Sequence, residues 1–282
     1  MSSPDPVTQR LIALALEEDL ADGDATAAAT VPETLEATAR FVARADGVIA
    51  GLVTTEAVVA AVDPALVFTA ACSDGDGVAR GTLVAQVQGR ARSILAAERT
   101  ALNLLTHLSG VATQTAALVA AVGGTDCVVR DTRKTLPGMR ALQKAAVVAG
   151  GGVNHRFSLS DGILVKDNHV AAAGSIGAAT RQALDAAGAL GVQVEVDDLM
   201  QLAAALDAGA RSVLLDNFSA GDMRTAVAIC RAVADDVFVE ASGNVTLETV
   251  GAIAETGVDA VAVGALTHSV RALDIGLDWE NT

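Results

Sequence analysis

Four short apolar runs, at residues 192–196, 212–215, 237–239 and 260–263, recur at intervals of roughly 20 to 25 residues, the length of one strand plus one helix. Strands repeated in this way run parallel, because a helical crossover returns the chain to the same end of the sheet. Two earlier runs, 127–130 and 162–165, extend the series. The pattern predicts a parallel sheet covered by helices. A polar or small residue closes nearly every run: Lys166 after 163–165, Glu195 within Val-Glu-Val, Asp216 after 213–215, Glu240 after 237–239 and Gly264 after 262–263. Barrel enzymes gather their chemistry at the carboxyl ends of the strands, so an incomplete (β/α) barrel is the preferred reading. A doubly wound open sheet, which also binds ligands at strand ends, is the alternative.

The first hundred residues have a different rhythm. Residues 7–20 carry a helical stripe of Val7, Leu11, Leu14 and Ala15. Strand-like runs follow at 39–45, 48–53, 66–72 and 83–87, with a short helix at 54–62 and glycine turns at Asp74–Gly77 and Arg80-Gly81. This reads as an α+β unit with a small antiparallel sheet. A long helical pattern from about 93 to 122, with Gly110 as its weak point, links it to the parallel region.

Composition narrows the function classes. Half of the chain is hydrophobic, yet it has one Trp, five Phe and no Tyr, so its core is aliphatic. A net charge of −15 argues against nucleic acid or an anionic membrane as partner. No apolar stretch approaches the roughly 20 residues of a membrane span, and Met1-Ser-Ser-Pro-Asp-Pro does not read as a secretion signal. Cys72, Cys127 and Cys230 are unpaired in spacing, as expected of reduced thiols in a cytoplasmic protein.

Cations and carboxylates are placed unevenly. The chain has only three Lys among its 19 basic residues, at 134, 144 and 166. Arg130-Asp-Thr-Arg-Lys-Thr135 follows a strand and brings Thr132, Arg133 and Lys134 to a strand end, where they suggest an anion site; a solvated basic loop would read the same way. Gly150-Gly-Gly leads into Asn154-His-Arg156, just ahead of the strand that ends in Lys166; a lone His is more often structural than catalytic, and the adjacent Arg tips that balance. Glu195 and Asp216 end consecutive strands. Such a pair can hold ribose hydroxyls, ligate a substrate-borne metal, stabilise positive charge, or simply pair with Lys166 or Arg133. The loops Ser242-Gly243-Asn244 and Val263-Gly264-Ala265 precede helices on the last two strands, where backbone N–H groups bind phosphate. There is no Walker-type loop, His-Glu-x-x-His, Cys-x-x-Cys or Gly-x-Ser-x-Gly elbow. The sum suits a substrate with phosphates, a ribose and carboxylates.

These segments resemble the nicotinate-nucleotide pyrophosphorylases, or quinolinate phosphoribosyltransferases. The likeness covers nearly the whole chain and runs through Glu98–Asn103, Asp131–Thr135, Pro137-Gly138, Asn154–Arg156, Ser160-Asp161, Leu164–His169, Glu195-Val196, Leu215–Asn217, Glu240–Gly243 and Val263-Gly264. The resemblance implies an N-terminal α/β sandwich domain over 1–110, a barrel over 111–267 and a tail, 268–282, returning to the first domain. It implies a homodimer or larger assembly in which Arg99 reaches into the partner's pocket. Arg133, His155 and Arg156 are then expected around quinolinate, with Thr132 beside them. Lys134, Lys166, Glu195 and Asp216 are expected around phosphoribosyl pyrophosphate, and Ser242–Asn244 and Val263–Ala265 at its phosphates. Mg2+ is expected to arrive with the pyrophosphate, with no protein cage of its own. The chain departs from the family pattern at Lys144–Ala146, where many relatives carry a Tyr, and at Phe157-Ser158, where a Gly-containing pair is usual; neither carries an assigned role. Rival readings are a paralogue with another nitrogenous acceptor, a Schiff-base aldolase using Lys166, and a nucleotide sensor without turnover.

Overall fold

The structure is a computed structural model and describes residues 4–280. Met1–Ser3, part of the stretch weighed above as a secretion signal, and Asn281-Thr282 lie outside the described residues. The first elements are α1 (Pro6–Leu20), α2 (Ala25–Thr30), β1 (Glu36–Ala43), β2 (Gly47–Val48), α3 (Leu52–Val62), β3 (Val67–Ala70), β4 (Gly77–Val78), β5 (Leu83–Arg90) and α4 (Ala91–Ala121). There follow β6 (Val128–Arg130), α5 (Arg140–Ala149), β7 (Ile163–Val165), α6 (Asp167–Ala173), α7 (Ile176–Ala186), β8 (Val192–Val196) and α8 (Leu199–Asp207). The chain ends with β9 (Ser212–Asp216), α9 (Ala220–Val233), β10 (Phe238–Ser242), α10 (Leu247–Ala254), β11 (Ala260–Ala262), α11 (Ala265–His268) and β12 (Ile275–Trp279). It divides into two compact units. The first takes the described residues up to Ala116, 135–151, and those from Leu266 on; the second takes 117–134 and 152–265.

The first unit is built on an antiparallel sheet in the order β12-β1-β5-β3. The pleat of β1 turns Ala39, Phe41 and Ala43 inward, each at 1% exposure or less. They pack with Val84 and Val87 of β5, Val58 of α3, and Ile94 and Leu105 of α4. Phe41 meets Phe68 edge-on, with ring centroids 6.0 Å apart.

Several expectations for this half are corrected. Of the expected stripe on α1, Leu11 packs half-buried on the core beside the buried Thr8 and Ile12, while Val7 and Leu14 are exposed. Asp5 caps the helix: its carboxylate accepts from the Val7 and Thr8 amides and Pro6 begins it. The run 48–53 is not a strand beyond Val48. Gly51, at φ +101°, turns the chain so that α3 starts at Leu52. Gly110 does not interrupt α4. It admits a neighbouring backbone instead, because a Cβ there would lie 2.3 Å from the Arg271 carbonyl oxygen. By length and apolar character α4 could cross a membrane, but half of the apolar window is buried within the fold, as in a core helix.

In the second unit six parallel strands lie in the order β6-β11-β10-β9-β8-β7. The sheet does not close: β6 and β7 are its two edges, and beyond β11 the β6 edge makes only an isolated bridge between Arg130 and Val153. Against the eight strands of a full barrel, this one is incomplete. The register sorts the side chains by parity. Val194, Val196, Val213, Leu215, Val239, Ala241 and Val261 fall on one face, all at 0% exposure. Helices α7, α8, α9 and α10 pack against these strands. The opposite parity carries Leu164, Glu195, Leu214, Asp216, Glu240, Ser242, Ala262 and Arg130.

Phe41 is the largest fully buried side chain of the first unit's sheet. Phe41→Ala is expected to cost about 3–5 kcal/mol, measured as a fall in the urea midpoint of unfolding; an unshifted midpoint would contradict this core.

Candidate active site

The polar parity of the parallel sheet opens onto a cavity of about 360 Å3. Thr132, Arg133, Lys134, His155, Arg156, Lys166, Glu195, Asp216 and Ser242 line it, with Leu164, Leu214 and Ala262 as its apolar walls. Nine residues singled out in the sequence thus meet in one place. A neighbouring hollow of about 530 Å3 runs along β7 and shares Arg156 and Leu164, but its lining is mainly apolar and it holds no carboxylate.

The cations of the cavity are of two kinds. Arg133 and Arg156 each keep a buried Nε without a hydrogen-bond partner among the described residues. Burial, and then the neighbouring Arg133 charge, press the Arg156 guanidinium below its ordinary pKa, with Asp161 partly opposing them. One Arg156 Nη donates to the Gly162 carbonyl at 2.8 Å. Two guanidinium groups held together in this way favour an anion between them. Lys166, by contrast, pairs with Glu195 across adjacent strands. Lys134 is exposed at the rim, in a turn whose amide donates to Thr132 Oγ1 at 3.0 Å.

Asp216 has no cationic partner among the described residues and accepts only from Asn217 Nδ2 at 2.8 Å. Asn217 is a latch. Its amide donates to the Ser242 carbonyl at 2.9 Å, and its side-chain oxygen accepts from Asn244 Nδ2 at 3.2 Å. It therefore ties the end of β9 to the loop after β10. Gly243 in that loop sits at φ +98°, and a Cβ would lie 2.1 Å from Asn217 Oδ1, so the latch leaves room only for glycine.

The remaining expected residues fall elsewhere. Gly243, Asn244, Val263, Gly264 and Ala265 follow the ends of β10 and β11 but do not line the cavity. The Val263 amide already donates to the Arg130 carbonyl at 2.9 Å, so it is not open to a phosphate. Ala265 begins a helix of four residues. Arg99 belongs to the first unit, exposed on α4. The third lysine, Lys144, is on α5 of the first unit and only 1% exposed.

Known proteins match this chain over its length. Residues 24–109 match the quinolinate phosphoribosyl transferase N-terminal domain and residues 111–278 its C-terminal domain. The nicotinate-nucleotide pyrophosphorylase [carboxylating] of Mycobacterium leprae is 51% identical over 270 residues, 94% of each chain.

The chain belongs to the quinolinate phosphoribosyl transferase family.

A quinolinate phosphoribosyltransferase [decarboxylating] of Nicotiana glauca is 42% identical, covering 95% of this chain and 81% of its own. The solved nicotinate-nucleotide pyrophosphorylase of Francisella tularensis superposes with a TM-score of 0.92 at 38% identity, covering 99% of this chain and 98% of its own.

Four side chains around the cavity were given no role from the sequence: Gln193, which it did not single out, and Asn217, Arg130 and Glu240, which it placed only in motifs or at a strand end. Arg130, Gln193 and Glu240 make a hydrogen-bonded cluster on the polar parity of the sheet. A signal was available. Gln193 shares the parity of Glu195, and Glu240 is a charge inside the apolar run Val237-Phe-Val-Glu-Ala, which only a buried partner can compensate. The Ser160-Asp161 motif also gains a reason: Asp161 accepts from the Phe157 and Ser158 amides, and these bonds hold its carboxyl below the ordinary value.

Gly243→Ala is expected to lose about 1–3 kcal/mol, since it must strain the backbone and displace Asn217. Equal urea midpoints for variant and parent would argue against the latch.

Proposed function

We propose that this protein transfers the phosphoribosyl group of phosphoribosyl pyrophosphate to the ring nitrogen of quinolinate and releases pyrophosphate, with loss of the adjacent carboxylate as CO2. The product is nicotinate mononucleotide, a precursor of NAD. One observation carries the reading beyond the family name. Arg133 and Arg156 share a cavity, their buried Nε atoms have no partner among the described residues, and the carboxylates of that cavity bond instead to Lys166 and Asn217. A planar dicarboxylate satisfies two guanidinium forks, each bidentately.

The other residues divide the remaining work. As pyrophosphate leaves the anomeric carbon, the ribose gains oxocarbenium character. Glu195 and Asp216 suit the ribose hydroxyls and that developing positive charge. Lys134 and Lys166 offset phosphate charge, with Lys166 exchanging Glu195 for substrate. The ring nitrogen forms the new bond to carbon as the carbon–oxygen bond to pyrophosphate breaks. The electron pair left on the ring by CO2 is then protonated from solvent. The donor set also fits magnesium carried in on pyrophosphate: Asp216 is a carboxylate without a cation, and Glu195 is beside it on the next strand. Held by those two residues, the ion would neutralise leaving-group charge.

We further propose that the enzyme works in the cytoplasm as a dimer or larger assembly, with Arg99 of a second copy completing each pocket. The three free cysteines suit a reducing compartment, and burial pushes Cys127 and Cys230 up to about 11, which keeps those thiols protonated and inert.

The deciding assay mixes purified protein with phosphoribosyl pyrophosphate, magnesium and either quinolinate or nicotinate. Nicotinate mononucleotide and CO2 from quinolinate alone are expected; turnover of nicotinate instead would move the chain to salvage chemistry. Lys134→Ala and Glu195→Ala should each lower kcat by about 100-fold or more with unchanged circular dichroism, and normal turnover in either would remove that residue's role. Mixing inactive Arg99→Ala with inactive Lys166→Ala should regain activity through hybrid assemblies. Continued inactivity of the refolded mixture would count against a shared pocket.

A further inference from the structure

Glu240 is the unusual group of the second unit. It lies at 0% exposure on the cavity parity of β10, in register with Leu214 of β9, whose side chain lines the cavity. A carboxylate there loses its hydration and must be compensated by the protein. Its Oε2 accepts from Arg130 Nη1 at 2.9 Å and from Gln193 Nε2 at 2.7 Å, while Oε1 is buried without a partner among the described residues. Arg130 is in turn held by the Asn154 carbonyl and lies over the Phe238 ring.

The direction of these bonds carries further than their number. An ionised carboxylate only accepts, so it obliges Gln193 to present its amide nitrogen to Glu240 and its carbonyl oxygen elsewhere. That Oε1 faces His155 Nε2 at 3.0 Å. An acceptor at this distance requires a proton on Nε2. The opposite ring nitrogen, Nδ1, receives the Arg156 backbone N–H at 2.8 Å and so carries a lone pair. A proton on Nδ1 would point at that N–H, which disfavours the other tautomer and opposes the imidazolium that Glu240 Oε2, 3.6 Å from Nε2, would otherwise favour. The chain of donors runs one way: Arg156 N–H to His155, His155 Nε2–H to Gln193, Gln193 Nε2–H to Glu240.

We propose that Glu240, Gln193 and His155 form a polarised relay that fixes the backbone of Arg156, and that His155 is a positioning residue for the dicarboxylate site and not a proton donor to the substrate. The proposal deepens the assignment of Arg156 to quinolinate and rests on it. It also revises the sequence-based expectation for His155, whose two ring nitrogens are both engaged by the protein. The relay places Arg156 without using its guanidinium, so the buried Nε remains open to an anion. It offers no group to the phosphoribosyl donor.

Two measurements on the full-length enzyme test this. Long-range 1H–15N NMR of histidine-labelled protein, with His155 identified by the signal lost in His155→Gln, should show at neutral pH a neutral ring protonated on Nε2 alone, both free and with quinolinate bound. A ring protonated on Nδ1, or an imidazolium, overturns the relay. In steady-state kinetics, Gln193→Leu breaks the relay but leaves the Glu240–Arg130 pair, and Glu240→Gln removes the acceptor-only end. Each should raise KM for quinolinate about tenfold, with kcat and KM for phosphoribosyl pyrophosphate changed much less. General loosening of the site would move both KM values together and would overturn the proposal, as would an unchanged KM for quinolinate. If Glu240→Gln fails to fold, Gln193→Leu carries the test alone. Failure of the unmutated enzyme to use quinolinate would indict the assigned substrate, and the NMR arm still decides the relay because it needs no ligand.

Discussion

Six parallel strands in fixed register impose a two-residue alternation on everything built upon them. Successive side chains of a strand point to opposite faces, and neighbouring strands in register align their faces into rows. Here one parity is almost wholly Val, Leu and Ala, and it is sealed by helices. That burial supplies the hydrophobic driving force and leaves the other parity free to be polar. Slipping one strand by one residue would bury Glu195 or Asp216 among helices and turn valines into the cavity. The aliphatic rows thus hold the chemistry in place without taking part in it.

The cavity face has its own hierarchy of charge. Glu240, fully buried, is neutralised within the fold by Arg130 and bonded by Gln193. Glu195 and Lys166 are paired but partly exposed, so that pair can be exchanged for substrate at modest cost. Among the described residues, the Nε atoms of Arg133 and Arg156 have no hydrogen-bond partner and Asp216 has no cation. The fully buried carboxylate thus has its charge met within the fold, while the cavity's guanidinium groups and Asp216 are left for a ligand. That difference separates the residues that position from those that bind.

Much of the fold was legible because it depends on local periodicity. The spacing of apolar runs marked β8, β9 and β11 to within a residue, and β10 to within three. Misreadings came where one contact overrides periodicity. The docked face of α1 took in Thr8 and Ile12 in place of Val7 and Leu14, Gly51 started α3 early, and Gly110 served close approach to Arg271 instead of a break. The six-stranded opening between β6 and β7 has no local signal, since only strand pairing across the whole unit defines it.

The same division holds for the site. Composition, strand-end residues and ordered motifs in the sequence were sufficient to nominate Thr132, Arg133, Lys134, His155, Arg156, Lys166, Glu195, Asp216 and Ser242, because chemistry demands those residue types and a parallel sheet delivers strand ends to one side. Partnership was decided only by tertiary structure. Lys166 met Glu195, Asn217 met Asp216 and Gly243, and Glu240, 110 residues beyond Arg130, closed on it beneath the cavity. Hydrogen bonds reach about 3 Å and have direction, so the donor, the acceptor and the tautomer at His155 exist only once distant strands lie side by side.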